Sequence, residues 1–130
     1  MSLNLELIGE FKGKNTAFRV LPDGQMEVSG QGMGKIMGID AAIIFTTVSS
    51  SAGGVYVGEG TGIINTLSGE TVTLQMNSIG WPGGKSGLSR GASINITASD
   101  KLMRLNKIIL LHEYVTDMNN DWMGKIWEWK

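Results

Sequence analysis

The chain has 130 residues, 42% hydrophobic and 18% charged, with 11 Lys and Arg against 12 Asp and Glu and a net charge of -1. That balance excludes a broad basic surface for nucleic acid and gives no electrostatic reason to sit on anionic lipid. The absence of cysteine excludes disulfides and thiolate metal sites, and it fits the cytoplasm, the expected location.

The length suits one domain, 1–130, with enough apolar residues to bury a core. Met1-Ser2-Leu3-Asn4-Leu5-Glu6 lacks a basic start followed by an apolar stretch, so no signal peptide is expected. The longest apolar runs, Ala41 to Phe45 and Ile108 to Leu111, fall far short of the roughly 20 residues of a membrane helix. Glycine occurs 19 times and proline twice. With many Val, Ile and Thr, that composition describes strands with tight turns and kinks.

Leu3 to Lys12 alternates Leu3, Leu5 and Leu7 with polar residues, the period of a half-buried strand. A polar turn is predicted at Lys14-Asn15, a short strand over Thr16 to Leu21, and a turn at Pro22-Asp23-Gly24. Strands follow over Gln25 to Gly34, Ala41 to Ser49, Val55 to Thr66 and Thr71 to Ile79. Gly80 to Gly87 is the longest loop-like stretch. Leu88 to Ala98, Leu105 to Thr116 and Trp122 to Lys130 complete the strands. Ser99 to Leu105 begins with good N-cap residues and predicts a helical turn or bend.

Eight or nine strands in meander order indicate an all-β protein. The predicted fold is a closed antiparallel up-and-down barrel of about eight strands, lipocalin-like in shape. Closure also removes edge strands, which invite aggregation. The lipocalin Gly-x-Trp signature is missing from the first strand.

Two segments place glycine at every second position: Gly30, Gly32 and Gly34, and Gly58, Gly60 and Gly62. On a strand each trio shares one face. A phosphate-cradling loop needs a following helix, which neither segment has. The better reading is structural: bare backbone lets strands coil or lets other side chains pack against it. The two segments either pair or occupy equivalent positions.

The chemistry-bearing candidates are few. His112 is the only histidine, and on a strand it points away from its neighbour Glu113. Glu59, between two glycines, would be a carboxylate with a raised pKa if it faced the lumen, and a solubilising charge if it faced water. Gln75, Asn77, Arg90 and Asn95 are polar strand residues that could line a pocket. Trp81, in Gly80-Trp81-Pro82-Gly83-Gly84, could lid a cavity or plug the barrel end. No cofactor or metal ion is expected. The ligand-lining candidates are therefore Glu59, Gln75, Asn77, Trp81, Arg90 and His112. Near the C-terminus, Trp127 and Trp129 share a face with Lys125, and Trp122, Gly124, Ile126 and Glu128 share the other. Barrel closure against the first strand, or a subunit interface in a homo-oligomer, accounts for this aromatic density better than nucleic-acid stacking does.

Tyr56-Val57-Gly58-Glu59-Gly60-Thr61-Gly62, Arg90-Gly91, Leu102-Met103-Arg104-Leu105-Asn106, Glu113-Tyr114 and Ile126-Trp127-Glu128-Trp129 give the second half a resemblance. It resembles small uncharacterised prokaryotic proteins that are themselves similar to the allene oxide cyclase-like barrel superfamily. The resemblance implies an eight-stranded antiparallel barrel. The plant cyclases isomerise an unsaturated fatty-acid epoxide in an apolar lumen, and no catalytic residue of theirs maps onto this chain. The expectation for function is a small barrel that binds a small, largely apolar molecule in its lumen. The alternatives are a cofactor-independent isomerase or cyclase of a hydrophobic substrate, and a structural or interaction protein with a packed lumen. Eight methionines would make an adaptable lining.

Overall fold

The computed structural model describes residues 3–83 and 86–130. Its eight strands are β1 Leu5–Val20, β2 Met26–Ile36, β3 Ile39–Ala52, β4 Val55–Thr66, β5 Thr71–Gly83, β6 Ser86–Ile96, β7 Ile109–Asp117 and β8 Asp121–Trp129. Each pairs antiparallel with the next, and β8 pairs with β1, so the sheet closes into an up-and-down barrel. A 3-10 helix, Asp100–Lys107, lies between β6 and β7.

The turns follow local chemistry. Gly24 (φ 88°) completes the corner after Pro22-Asp23, and Met37 and Gly38 (φ 51° and 78°) make the tight hairpin between β2 and β3. At Asp117, the carboxylate accepts hydrogen bonds from the backbone N–H groups of Asn119 (2.8 Å) and Asp121 (3.1 Å), which folds the β7–β8 turn.

The first strand departs from the sequence reading twice. Lys14-Asn15 is not a turn. β1 continues through it, and the register slips between Asn15 and Ala17, a bulge that bends the strand while keeping it paired. A second slip separates Leu7, opposite Trp127, from Gly9, opposite Ile126. One extra residue exchanges the faces of the strand. Leu5 and Leu7 therefore point outward (41% and 44% exposed), and Gly9 and Phe11 point into the barrel. The predicted loop over Gly80 to Gly87 is largely strand, since β5 runs to Gly83 and β6 starts at Ser86. Its Gly84 and Lys85 lie outside the described residues.

One end of the barrel is packed solid. Phe11, Ile36, Ile43, Ile64, Val72, Leu74, Leu110 and Ile126 fill it, each at most 3% exposed. The 3-10 helix closes that end by inserting Leu102 and Leu105. The predicted helical turn is thus an eight-residue plug, although Ser99 makes no side-chain cap. Buried Asn95 holds the plug in place: its amide donates to the carbonyls of Leu105 (3.2 Å) and Ile108 (3.1 Å) and its oxygen accepts from Ser93 (2.7 Å). Asn95 is thereby a structural polar residue and has no share in a pocket. Arg104 adds an ion pair to Glu128 at 2.7 Å, whose carboxylate is only 8% exposed.

Leu105→Ala removes one of the two buried leucines of the plug. It is expected to cost about 3 kcal/mol, the middle of the range for buried leucines. Urea unfolding followed by tryptophan fluorescence checks this.

Candidate functional site

The other half of the lumen is open. A cavity of about 350 Å³ lies there, with Phe45, Met76, His112, Tyr114 and Trp122 among the residues lining it. The rings form one cluster. Phe45 and Tyr114 each contact Trp122 (centroids 5.5 and 5.3 Å), Phe45 contacts Tyr114 (6.0 Å), and Tyr114 contacts His112 (5.3 Å). Edge-to-face and tilted pairs of this kind are the favoured aromatic geometries.

The glycine trios explain how these rings fit. Gly30, Gly32 and Gly34 on β2 and Gly58, Gly60 and Gly62 on β4 face the lumen on either side of β3, so the two segments do not pair with each other. Phe45 stands directly across from both Gly30 and Gly62. A Cβ on Gly30 would come within 2.6 Å of the Phe45 ring, and one on Gly32 within 2.7 Å of Trp122. The pattern recurs in the other wall: Gly91 leaves room for His112 (2.7 Å), and Gly124 for the Tyr114 ring. Trp122 also lies over Gly13 of adjoining β1 (2.5 Å), so each large ring lies over a glycine in an adjoining strand.

The wall above the rings carries neutral polar groups: Asn15, Thr47, Ser49, Ser78, Ser89 and Thr116. Among the described lining residues there is no Asp, Glu, Lys or Arg. His112 is buried, and desolvation lowers its pKa from 6.5 to about 4. Burial likewise pushes the Tyr114 phenol up to about 12. Both are therefore neutral at physiological pH. The indole Nε1–H of Trp122 is buried without a hydrogen-bond partner among the described residues, a donor whose ring lines the cavity.

Of the six sequence candidates, the structure places His112 and Trp81 on the cavity. Trp81, 39% exposed near the end of β5, stands at the rim. The other four face outward. Met76 and Ser78 take the inward positions of β5, so Gln75 and Asn77 are exposed; Gly58 and Gly60 do the same on β4, so Glu59 is exposed opposite Asn77. Arg90 lies on the outer face, its Nε donating to Glu113 at 2.8 Å. Glu113 in turn points away from His112, as the strand period requires. Phe45, Tyr114, Trp122 and the hydroxyl residues are the lining groups that the candidate set lacked. The available signal was parity, because each sits across from, or between, the glycines that mark the inner face. The expected methionine lining is limited to Met26 and Met76; Met33, Met103, Met118 and Met123 are exposed.

Known proteins share this shape more than this sequence. No protein-family model and no curated protein matches the chain. A conserved protein of unknown function from Rhodopseudomonas palustris superposes with a TM-score of 0.82 at 9% identity, covering 100% of this chain and 99% of its own. A β-barrel-like protein from Acinetobacter baumannii gives 0.82 at 12% identity, covering 100% and 98%. An enzyme from Penicillium herquei gives 0.68 at 16% identity, covering 100% and 96%. At these identities the likeness shows the barrel fold, and none of these neighbours is named an allene oxide cyclase.

Burial of neutral His112 makes stability depend on pH. The unfolded chain takes up its proton near 6.5 and the folded one only near 4. The contribution is therefore intact above pH 6.5 and is lost as pH falls from there to about 4. The loss is on the order of 3 kcal/mol. The expected outcome is that His112→Gln unfolds with a flatter pH dependence than the parent across that window, with parallel curves above it. Urea titrations at stepped pH read the difference.

Proposed function

We propose that the barrel binds a small, uncharged and largely apolar molecule in the open half of its lumen. The observation that carries this reading is the cavity of about 350 Å³, with aromatic rings and small hydroxyl residues among those lining it. Small-molecule sites begin at roughly this size and pair apolar walls with a few placed polar groups. The rings supply apolar contact. The hydroxyls of Thr47, Ser49 and Ser78 offer hydrogen bonds to a polar group of the ligand. A charged ligand would lose its hydration with no opposite charge among the described lining residues, which favours a neutral one.

Two measurements test this. Native mass spectrometry of the purified protein looks for a co-purifying small molecule. Titration with N-phenyl-1-naphthylamine, a neutral apolar fluorophore, is expected to give saturable one-to-one binding. Thr47→Trp fills the cavity from β3 and is expected to weaken that binding roughly tenfold or more with near-UV circular dichroism retained. Failure of the parent to bind the probe, or equal binding by a folded Thr47→Trp variant, would overturn the reading.

A cofactor-independent isomerase or cyclase of a hydrophobic substrate, in the manner of the allene oxide cyclase-like barrels, is the second reading. It is favoured by the similarity to a fungal enzyme and by His112 and Tyr114 standing side by side in the cavity. A neutral imidazole and a phenol could move a proton without a cofactor. Under this reading His112→Gln and Tyr114→Phe would retain the fluorophore and lose turnover of an apolar epoxide.

A further inference from the structure

The outer surface of β6, β7, β8 and β1 carries side chains in rows fixed by the strand register. One row is Ala92, Leu111, Trp127 and Leu7. Next to it, toward the plugged end, lie Ile94, Ile109, Trp129 and Leu5, with Ile109 directly preceding the Leu110–Glu128 pair. Leu5, Leu7, Ile94, Ile109 and Trp129 are each at least 41% exposed. A contiguous apolar patch bearing two tryptophans marks an interaction surface. On its other side runs a charged row, Arg90, Glu113, Lys125 and Glu10, followed by Leu88, Val115, Met123 and Lys12.

We propose that this face is the interface of a homodimer, whose two-fold axis runs parallel to the strands between β7 and β8. The charged row carries the assignment. From β6 to β1 it reads positive, negative, positive, negative. An axis in that position opposes every row to its own reverse, because a two-fold contact uses the same patch on both copies. β6 then faces the partner's β1, and β7 faces the partner's β8. Glu113 meets the partner's Lys125 on each side of the axis, and Arg90 and the partner's Glu10, also of opposite sign, flank these pairs where the two barrels curve apart. The same operation sets Leu111 against the partner's Trp127, Ile94 against the partner's Leu5, and Val115 against the partner's Met123. An axis laid along the row instead would set Arg90 on the partner's Arg90. A groove of about 760 Å³ runs across β7, β8, β1 and β2, lined by Val115, Met123, Lys125, Leu7 and Glu10 among others, and gives the opposing face somewhere to seat. The surface is thus complementary to itself, which an unrelated protein or a lipid would not require.

Sedimentation equilibrium of the parent is expected to give twice the chain mass, and Trp129→Ser, at an exposed position, to raise the dimer dissociation constant roughly tenfold or more. Lys125→Glu alone sets Glu113 against a partner's glutamate, and Glu113→Lys alone sets two lysines together. Each is expected to be monomeric. Mixing the two variants restores both ion pairs, since each supplies the sign the other lacks, and is expected to return a heterodimer. A monomeric parent, a dimer indifferent to Trp129→Ser, or a mixture that stays monomeric would each overturn the proposal. Circular dichroism of each variant separates loss of assembly from loss of fold, and the exposed Trp129→Ser position tests the interface even if a charge variant misfolds.

Discussion

An eight-stranded barrel has an interior about one layer of side chains wide, and this one must hold four rings at its waist. Phe45, His112, Tyr114 and Trp122 cannot all be present unless the strands around them give up their own side chains. Gly30, Gly32, Gly62, Gly91 and Gly124 do so, and a Cβ at most of these points would run into a ring. Each of these glycines exposes backbone and costs strand stability on the order of 1 kcal/mol. The buried rings offset that cost through area and mutual contact. Remove the glycines and the rings have no place; remove the rings and the glycines leave a weak, unfilled sheet.

That exchange divides the lumen. Toward the plugged end, branched aliphatic residues fill the space to the last percent of exposure, and the 3-10 helix delivers Leu102 and Leu105 as a stopper. Toward the open end, small polar residues and glycines leave space that nothing among the described residues fills. His112 lies at the boundary. Its ring is buried deeply enough to stay neutral yet still lines the cavity, a combination set by Gly91 on one side and Tyr114 on the other.

The barrel itself was legible because its signals are local and repeated. Alternation in β5 and β8, turn residues at Pro22-Asp23-Gly24 and Asp117 to Asp121, and the absence of any long helical stripe all point the same way. The inner face was legible only in part. On β8, Trp122, Gly124, Ile126 and Glu128 alternate without interruption, and that whole set is inside. On β1 the same kind of pattern misleads. Leu3, Leu5 and Leu7 look like a core stripe, but the bulge at Ile8 exchanges the faces and puts them in contact with solvent. A bulge is a pairing event between two strands distant in sequence, so neither strand announces it alone. The polar candidates failed for a related reason. Glu59, Gln75, Asn77 and Arg90 drew notice because they are chemically conspicuous, while the inward neighbours Gly58, Met76, Ser78 and Gly91 are not.

Around the cavity, charge is accordingly partitioned by strand parity; the inward carboxylate of Glu128 lies at the plugged end, where Arg104 pairs with it. The described residues around the cavity contribute hydroxyls, an amide and neutral rings, while Arg90, Glu113, Lys125 and Glu10 line up on the outside. These two surfaces obey different physics. A neutral lumen can take up an apolar molecule without stranding a charge in low dielectric. An outer row of alternating sign adds little to the stability of one barrel, because exposed pairs such as Arg90–Glu113 contribute at most about 1 kcal/mol. In the proposed dimer its value would lie in selecting what the neighbouring apolar patch touches, since like charges brought together across an interface are costly and opposite ones fix register. The same glycine and parity rules that empty the lumen therefore also decide which tryptophans remain outside, where Trp127 and Trp129 lie beside that charged row.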